Sequence, residues 1–367
     1  MIRGFVLIVF SKTVFVLMGF FFIFIFLELI FQFFPVSTGG LTMPLNKENS
    51  VVSYEPDKQV VCSNWNFDDV RKYHINNKGF FNRQDYVSQN PLPLVAIIGD
   101  SYVEAQQVSQ NKSFYALLDD QLGKKFRFYT FARSFAPLSQ YLNWTKYAVD
   151  TFNPSKLIFV IIGNDFDESL YKYNPSSGYR FVFKNEKLIN KRFDYEPSLL
   201  KKVIRNFALP RYFVFNLKGR EKLQQIFSRT VSDYNEDLVF AGNTHRYKSD
   251  EVVKESKKVV DHFLKSVIEI SQLDPQNILF IVDGIRPSLY FPDILKKDKK
   301  SYFGIMRNYF INEATLNNFS LIDMQPIMVS EFKNKNQKFE FTDDFHWNEI
   351  GHFIVAEAII NSNFINQ

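Results

Sequence analysis

The stretch Leu94–Ala105, which reads LVAIIGDSYVEA, predicts a buried strand that turns directly into a helix. Its first five residues are apolar without a break, which is typical of a strand covered on both faces of a sheet. Gly99 and Asp100 then end the strand. A strand followed at once by a helix places Ser101 at the carboxyl edge of a parallel sheet, where open α/β folds bind ligands. Ser101 is therefore a candidate nucleophile, although a serine that only caps the helix would give the same local pattern.

Strand and helix patterns alternate along the rest of the chain. Further buried strands are predicted at residues 126–131, 156–163, 278–283 and 319–323. Helices are predicted at residues 138–152, 251–272 and 301–317, with a last helix from Asn348. Between the third strand and the helix at 251, residues 179–183 and 187–189 predict a β-hairpin. The alternation predicts parallel pairing with helices on both faces of the sheet, which is an α/β fold.

The composition of the 367 residues limits the class of protein. The formal net charge of +5 is spread along the chain, so it does not indicate a nucleic-acid partner. Cys62 is the single cysteine, so no disulfide can form within these residues and a thiolate metal site is not expected. The length is typical of two domains, and a single α/β domain with insertions also fits.

An apolar run at Thr13–Phe34 is long enough to cross a bilayer as a helix. Glu28 is its single charge and lies near one end, within reach of the headgroups. Because Arg3 and Lys12 precede the run, the amino end is expected to stay cytoplasmic and the rest to face the periplasm or cell exterior. A cleaved signal peptide is the alternative, but the run is longer than a usual signal core and no A-x-A site follows. We therefore expect a single-pass membrane protein that contacts lipid through this helix.

The chain is accordingly expected to have three parts: an anchor at 1–34, a linker with a small extended subdomain at 35–90, and an α/β domain at 91–367. An insertion at about 170–250 interrupts the last part. Residues 199–227 of the insertion are rich in lysine, arginine and aromatic residues. They predict either a pair of amphipathic helices broken at Pro210 and packed on the core, or a surface that rests on lipid headgroups.

Two further motifs lie where a strand ends or a helix begins, at the same predicted edge as Ser101. Gly163-Asn164-Asp165 follows a buried strand, and Asp343 and His346 precede the last helix. A serine needs a base within hydrogen-bond reach and an acid that orients the base, roles that fit His346 and Asp343. The Asn164 amide and the backbone N–H of Ser101 could stabilise an oxyanion.

Other polar residues are weaker candidates for this site. Asp283 ends the fourth strand at the same edge and could line a substrate pocket. Three other histidines have no serine or acidic partner at an informative spacing: His74, His245 and His262. His352 lies on the last helix, six residues after His346, and is expected to face solvent or the core.

In these motifs the sequence resembles the SGNH (GDSL-like) hydrolase superfamily, in its membrane-anchored bacterial form. Gly99-Asp100-Ser101 is similar to the first block of that family, residues 163–165 to the third, and Asp343-x-x-His346 to the fifth. The resemblance covers Leu94 to about Ile360. The second block normally supplies a glycine N–H to the oxyanion hole, and no glycine occurs at 130–142. The donor there would be the N–H of Ser134, Phe135 or a neighbour.

The resemblance implies a three-layer α/β/α sandwich with a mainly parallel, five-stranded sheet of flavodoxin-like order. It also implies acyl-ester chemistry, with Ser101 as nucleophile, His346 as base and Asp343 as orienting acid. Asp344 is the alternative acid, because some membrane-linked relatives have a D-x-H spacing. The oxyanion would be held by Ser101, Asn164 and Phe135. No metal or organic cofactor is required.

Three functions are compatible with these residues. The first is a membrane-anchored ester hydrolase that acts on O-acyl groups, with a cell-envelope glycan as the expected substrate by analogy with the family. The second is an acyltransferase with the same residues, in which a sugar hydroxyl replaces water. The third is a non-catalytic envelope protein on this fold, which the absent second-block glycine leaves open.

Overall fold

The computed structural model describes residues 2–217, 244–291, 298–341 and 344–366. These residues form two compact units. The first unit contains residues 2–40, 60–72 and 197–217, and the second contains 41–59, 73–196 and the described residues from 244 onward.

The strands are β1 (Lys58–Ser63), β2 (Val70–Ile75), β3 (Leu94–Gly99), β4 (Arg127–Ala132), β5 (Lys156–Ile161), β6 (Gly178–Lys184), β7 (Lys187–Phe193), β8 (Ile278–Val282), β9 (Ser320–Asp323), β10 (Glu340–Phe341) and β11 (Asp344–Trp347). The helices are α1 (Ile2–Phe31), α2 (Ser101–Glu104), α3 (Phe114–Leu122), α4 (Leu138–Phe152), α5 (Leu199–Ile204), α6 (Ala208–Arg211), α7 (Asp250–Ser271), α8 (Arg286–Tyr290), α9 (Tyr302–Leu316), α10 (Met324–Lys335), α11 (Glu349–Ile360) and α12 (Asn363–Asn366). A π-helical turn, Tyr212–Asn216, continues α6.

The second unit is built on a five-stranded sheet of order β4-β3-β5-β8-β9. All neighbouring strands are parallel. With these strands numbered in chain order, the sheet order is 2-1-3-4-5, which is the flavodoxin-like order. The order changes direction beside β3, so the turn after β3 lies at the switch point where such folds bind ligands. The predicted five-stranded α/β fold is confirmed.

Alternate residues of each central strand enter two separate cores, one on each face of the sheet. Leu94, Ala96 and Ile98 of β3 pack with α4, α7 and α9. Val95 and Ile97 pack on the other face with α2, α3 and α11. Burial on both faces explains why the strands are apolar without alternation. The sheet is therefore the middle layer of three.

Gly99 is required by the close approach of β3 and α2. A Cβ atom at this position would lie 2.3 Å from Cγ2 of Val103. Any side chain at position 99 would therefore push α2 away from the sheet, and with it Ser101.

The insertion differs in part from its prediction. The hairpin is confirmed as β6 and β7, which pair antiparallel from Gly178 to Phe193. The predicted break at Pro210 is wrong, because Pro210 lies inside α6 and the break falls between α5 and α6. Proline is tolerated there because the first turn of a helix has no intrahelical partner for its N–H groups. Residues 218–227 of the prediction lie outside the described residues.

The first unit contains the apolar helix α1. Residues Lys12–Phe31 are long and apolar enough to cross a membrane, and 6% of the most apolar window is buried. A core helix of this composition would be covered by other elements, and a signal sequence would meet the same criteria of length and composition.

Candidate active site

Ser101 is the first residue of α2, and Asp100 is the N-cap of that helix. The Asp100 carboxylate accepts the Tyr102 N–H at 2.9 Å. The alternative that Ser101 only caps the helix is therefore wrong, since the capping role belongs to its neighbour. The Ser101 side chain is left to make other contacts, and the residue is 6% exposed.

The structure brings Ser101 and His346 together across 245 positions of sequence. Nε2 of His346 lies 2.7 Å from Oγ of Ser101. Nδ1 of the same ring contacts a carboxylate oxygen of Asp344, which also accepts the His346 N–H at 3.0 Å. Because a carboxylate on Nδ1 holds the ring proton there, Nε2 faces the serine with its lone pair.

Asp344, the alternative orienting acid, is therefore the carboxylate seen at the ring. Asp344 and His346 lie two residues apart in β11, and such residues share a face of a strand. Asp343, the first choice from the sequence, lies outside the described residues.

A buried network holds the backbone on both sides of His346. The Tyr102 hydroxyl donates to the carbonyl of Phe345 at 2.7 Å, and Nη2 of Arg286 donates to the same carbonyl at 3.3 Å. On the other side, Nε1 of Trp347 donates to Asp283 at 3.1 Å. Asp283 pairs in turn with Arg286 at 2.8 Å. The imidazole is thus positioned by groups from α2, α8 and the end of β8.

Asp283 requires a correction. The sequence predicts that it lines a substrate pocket, but it is 0% exposed and is held by Arg286 and Trp347. A carboxylate enclosed in this way has no surface for a substrate, so its role is to position the strand that carries His346.

Asn164 lies in the turn directly after β5, next to the strand that leads to Ser101. Its side chain is buried, and Nδ2 is 3.4 Å from a carboxylate oxygen of Glu168. A contact of this length is weak, so the amide retains most of its capacity to donate to another acceptor. The placement is compatible with the predicted oxyanion role.

The loop without the second-block glycine is anchored by Glu104, a residue that the sequence did not single out. One carboxylate oxygen accepts both the N–H of Ser134, at 2.9 Å, and its hydroxyl. The Ala136 N–H donates to the carbonyl of Arg133 at 3.2 Å. Of these three consecutive N–H groups, only that of Phe135 has no acceptor within the described residues.

Phe135 also has the backbone conformation that glycine prefers. Its φ is +66°, in the left-handed region, and its side chain is 73% exposed. A residue other than glycine loses roughly 1–2 kcal/mol in this conformation. Phe135 thus has a backbone conformation that glycine favours, and its N–H has no acceptor in the described part of the chain. The N–H of Ser134 already donates to Glu104, so Ser134 is not the oxyanion donor candidate.

Two buried carboxyl groups, those of Asp100 and Asp165, are sequence neighbours of Ser101 and Asn164. Burial raises the pKa of Asp100 to about 7, although the Tyr102 N–H and the nearby His346 act in the opposite direction. Burial and the charge of Asp100 raise the pKa of Asp165 well above its usual value. Asp165 accepts hydrogen bonds from the Tyr141 hydroxyl and the Ile162 N–H. Raised pKa values reduce the negative charge near Ser101.

His352 has a structural role. It is 1% exposed, and its Nδ1 accepts the Phe114 N–H at 3.3 Å. His74 is hydrogen-bonded to Asp85, and His262 packs against Phe181. Within the described residues, no group of three histidine, cysteine or acidic side chains is arranged to hold a metal.

Acid is expected to destabilise the fold through His352. Burial lowers its pKa from 6.5 to about 3, so the unfolded chain binds a proton that the folded chain does not. The contribution is fully present above pH 6.5 and is lost as the pH falls toward 3. Urea unfolding at several pH values is expected to show a weaker acid dependence for His352→Gln than for the wild type. An equal dependence in both proteins would show that other groups carry the effect.

The sequence matches no family profile and no curated protein. Solved structures similar to the chain include esterases and lipases of the SGNH/GDSL type. An acetyl xylan esterase, AlAXEase, is 13% identical over 73% of this chain and 98% of its own, with a TM-score of 0.37. A lipase/acylhydrolase from Enterococcus faecalis is 9% identical over 75% and 97%, with a TM-score of 0.39.

A lipolytic G-D-S-L protein from Veillonella parvula is similar to the chain at the same level. It is 11% identical over 73% of this chain and 96% of its own, with a TM-score of 0.37.

Proposed function

We propose that the chain is a membrane-anchored serine esterase that cleaves O-acyl esters. The observation that carries the proposal is the contact of 2.7 Å between Oγ of Ser101 and Nε2 of His346, with Asp344 on the far nitrogen. This distance lies in the range needed for proton transfer from a nucleophile to its base. A serine, an imidazole and a carboxylate in this order are the parts of an acyl-transfer site.

In the proposed reaction, Oγ of Ser101 attacks the ester carbonyl while His346 takes the hydroxyl proton on Nε2. The carbonyl oxygen becomes an oxyanion, stabilised by N–H groups of Ser101 and Phe135 and by the Asn164 amide. His346 then returns the proton to the leaving alcohol as the carbon–oxygen bond breaks. Water, activated by the same imidazole, releases the acid and restores Ser101.

The proposed location is the membrane, with Thr13–Phe34 as an uncleaved anchor and the catalytic unit on the periplasmic or extracellular side. Arg3 and Lys12 at the amino end support this orientation. An acylated envelope glycan is the proposed substrate class, on the basis of this location and of analogy with the family. Acetate release from an acetylated glycan by the full chain in detergent would test this substrate class.

Covalent labelling tests the chemistry without knowledge of the substrate. A fluorophosphonate is attacked by an activated serine, with loss of fluoride and transfer of the hydroxyl proton to the base. We expect the folded full chain to be labelled. Ser101→Ala and His346→Ala are expected to remain unlabelled, with melting temperatures equal to that of the wild type. Ser320→Ala, on β9, is a matched control that should label like the wild type. A folded wild-type protein that does not label would favour the non-catalytic alternative.

A further inference from the structure

Glu28, the single charge of the apolar run, is buried against protein. The residue is 6% exposed. Its two carboxylate oxygens accept the N–H groups of Ala208 and Leu209, at 2.7 and 2.8 Å. Ionisable residues within a membrane helix characteristically face a protein partner. The start of α6 is therefore fixed to α1 at the level of Glu28.

The segment that follows runs alongside α1 in the same direction. The ring of Phe207 lies 6.1 Å from that of Phe24, and the ring of Tyr212 lies 4.6 Å from that of Phe31. Phe24 precedes Phe31 by seven positions, and a helix rises about 1.5 Å per residue, so the segment extends about 10 Å back from the end of α1.

The first turn of α6 leaves no N–H group without an acceptor. Ala208 and Leu209 donate to Glu28, position 210 is a proline without an N–H, and Arg211 donates to the Phe207 carbonyl at 3.3 Å. The first four N–H groups of a helix normally rely on water or on caps. A helix that begins in an apolar layer must supply every acceptor from the protein, and this helix does so.

Asn216, at the end of the segment, makes polar contacts near the end of α1. Oδ1 of Asn216 accepts the Ser37 N–H at 3.1 Å, and its Nδ2 donates to the carbonyls of Ser63 and Asn64. Tyr212 donates to the carbonyl of Trp65, whose side chain is 62% exposed. An exposed tryptophan and a half-buried tyrosine beside the end of a membrane helix are typical of the membrane–water interface.

The outer surface of the segment is apolar and cationic. Its exposed apolar residues are Leu199, Leu200, Val203, Phe207, Phe213 and Val214. Lys201, Lys202, Arg205 and Arg211 lie among them. Apolar side chains interleaved with cations fit the boundary between acyl chains and anionic headgroups, and the surface is continuous with α1.

We infer that residues 198–217 form a re-entrant interfacial segment, which dips into the leaflet at the carboxyl end of α1 and is capped there by Glu28. Its partner is the lipid bilayer, with acyl chains against Phe213 and Val214 and anionic headgroups against the lysine and arginine side chains. The inference rests on the proposed anchor.

Fluorescence quenching in vesicles tests the segment in the full chain. Trp144 and Trp347 are buried, so Trp65→Phe removes the exposed tryptophan. In that background, Phe213→Trp adds a probe on the segment and Leu316→Trp adds a reference at an exposed site of the second unit. The vesicles contain phosphatidylcholine and phosphatidylglycerol, with or without bromine on the acyl chains.

We expect acyl-chain bromine to quench the added tryptophan of Phe213→Trp by half or more and to leave Leu316→Trp unchanged. Adding Glu28→Ala to Phe213→Trp is expected to reduce the quenching, because the start of α6 loses its acceptors. Carbonate extraction of the same vesicles tests the anchor separately. Extraction of the protein would overturn both anchor and segment. If the protein is retained in the vesicles but its added tryptophan is not quenched, the anchor stands and the re-entrant segment is overturned. This result is expected if another protein covers this face.

Discussion

Replacing Asp344 with asparagine is expected to lower kcat for ester hydrolysis by about 10⁴-fold, the loss typical of a serine–histidine–aspartate site whose orienting carboxylate becomes an amide. Asp344 contacts Nδ1 of His346, and Nε2 of that ring lies 2.7 Å from the Ser101 hydroxyl. An asparagine can turn its NH₂ toward Nδ1, which stabilises the tautomer with the proton on Nε2. His346 could then no longer accept the serine proton.

Asp343→Asn is the matched comparison, since it removes the neighbouring carboxylate with the same change of shape. We expect its kcat to stay close to that of the wild type. Steady-state hydrolysis of p-nitrophenyl acetate measures both variants, and thermal unfolding checks that both remain folded. A large loss in Asp343→Asn with a small loss in Asp344→Asn would assign the orienting role to position 343.

The sequence alone does not distinguish Asp343 from Asp344 as the carboxylate at the His346 ring. Side chains three residues apart share a face in a helix, whereas side chains two residues apart share a face in a strand. Whether Asp343 or Asp344 reaches the ring therefore depends on the local backbone before the last helix. The strand β11, Asp344–Trp347, has four residues, which is too short for a periodic pattern to reveal it in the sequence.

The fold itself was predictable because its signals are long and repeated. Four of the five strands, β3, β4, β5 and β8, are fully buried. The strands alternate with helices such as α4 and α7, and the parallel order follows from that alternation. The edge of the sheet that carries Ser101 was predictable for the same reason. That His346 lies at the same edge was a prediction from its position before the last helix.

The groups that hold the site in place were not predictable. Arg286 reaches the Phe345 carbonyl from 59 positions away, and Glu104 reaches Ser134 from 30 positions away. Neither residue belongs to a motif, and each contact depends on how separate elements pack. The left-handed backbone of Phe135 is equally hidden, because a phenylalanine in sequence gives no indication of a positive φ.

Glu104→Ala is expected to lower kcat by about 10²-fold with little change in KM, the loss typical of one oxyanion donor. The Glu104 carboxylate holds Ser134 through its N–H and its hydroxyl, which fixes the loop that presents the Phe135 N–H. Since that N–H would act on the oxyanion and not on the bound ester, the loss belongs in kcat. Removing the carboxylate also leaves buried donors unpaired, at about 1–3 kcal/mol each, so thermal unfolding must accompany the kinetics.

Conservative variants separate this positioning role from a loss of stability. Glu104→Gln keeps one oxygen for Ser134 and can donate to the Tyr54 hydroxyl, so it should recover most of the activity. Tyr54→Phe removes the contact at the other carboxylate oxygen and should leave kcat nearly unchanged. Phe135→Gly keeps the N–H and suits a φ of +66°, so it should remain active. A different result would contradict this role: Tyr54→Phe losing as much activity as Glu104→Ala at equal stability. The carboxylate would then act through the packing of α2. The oxyanion donor would in that case lie outside this loop.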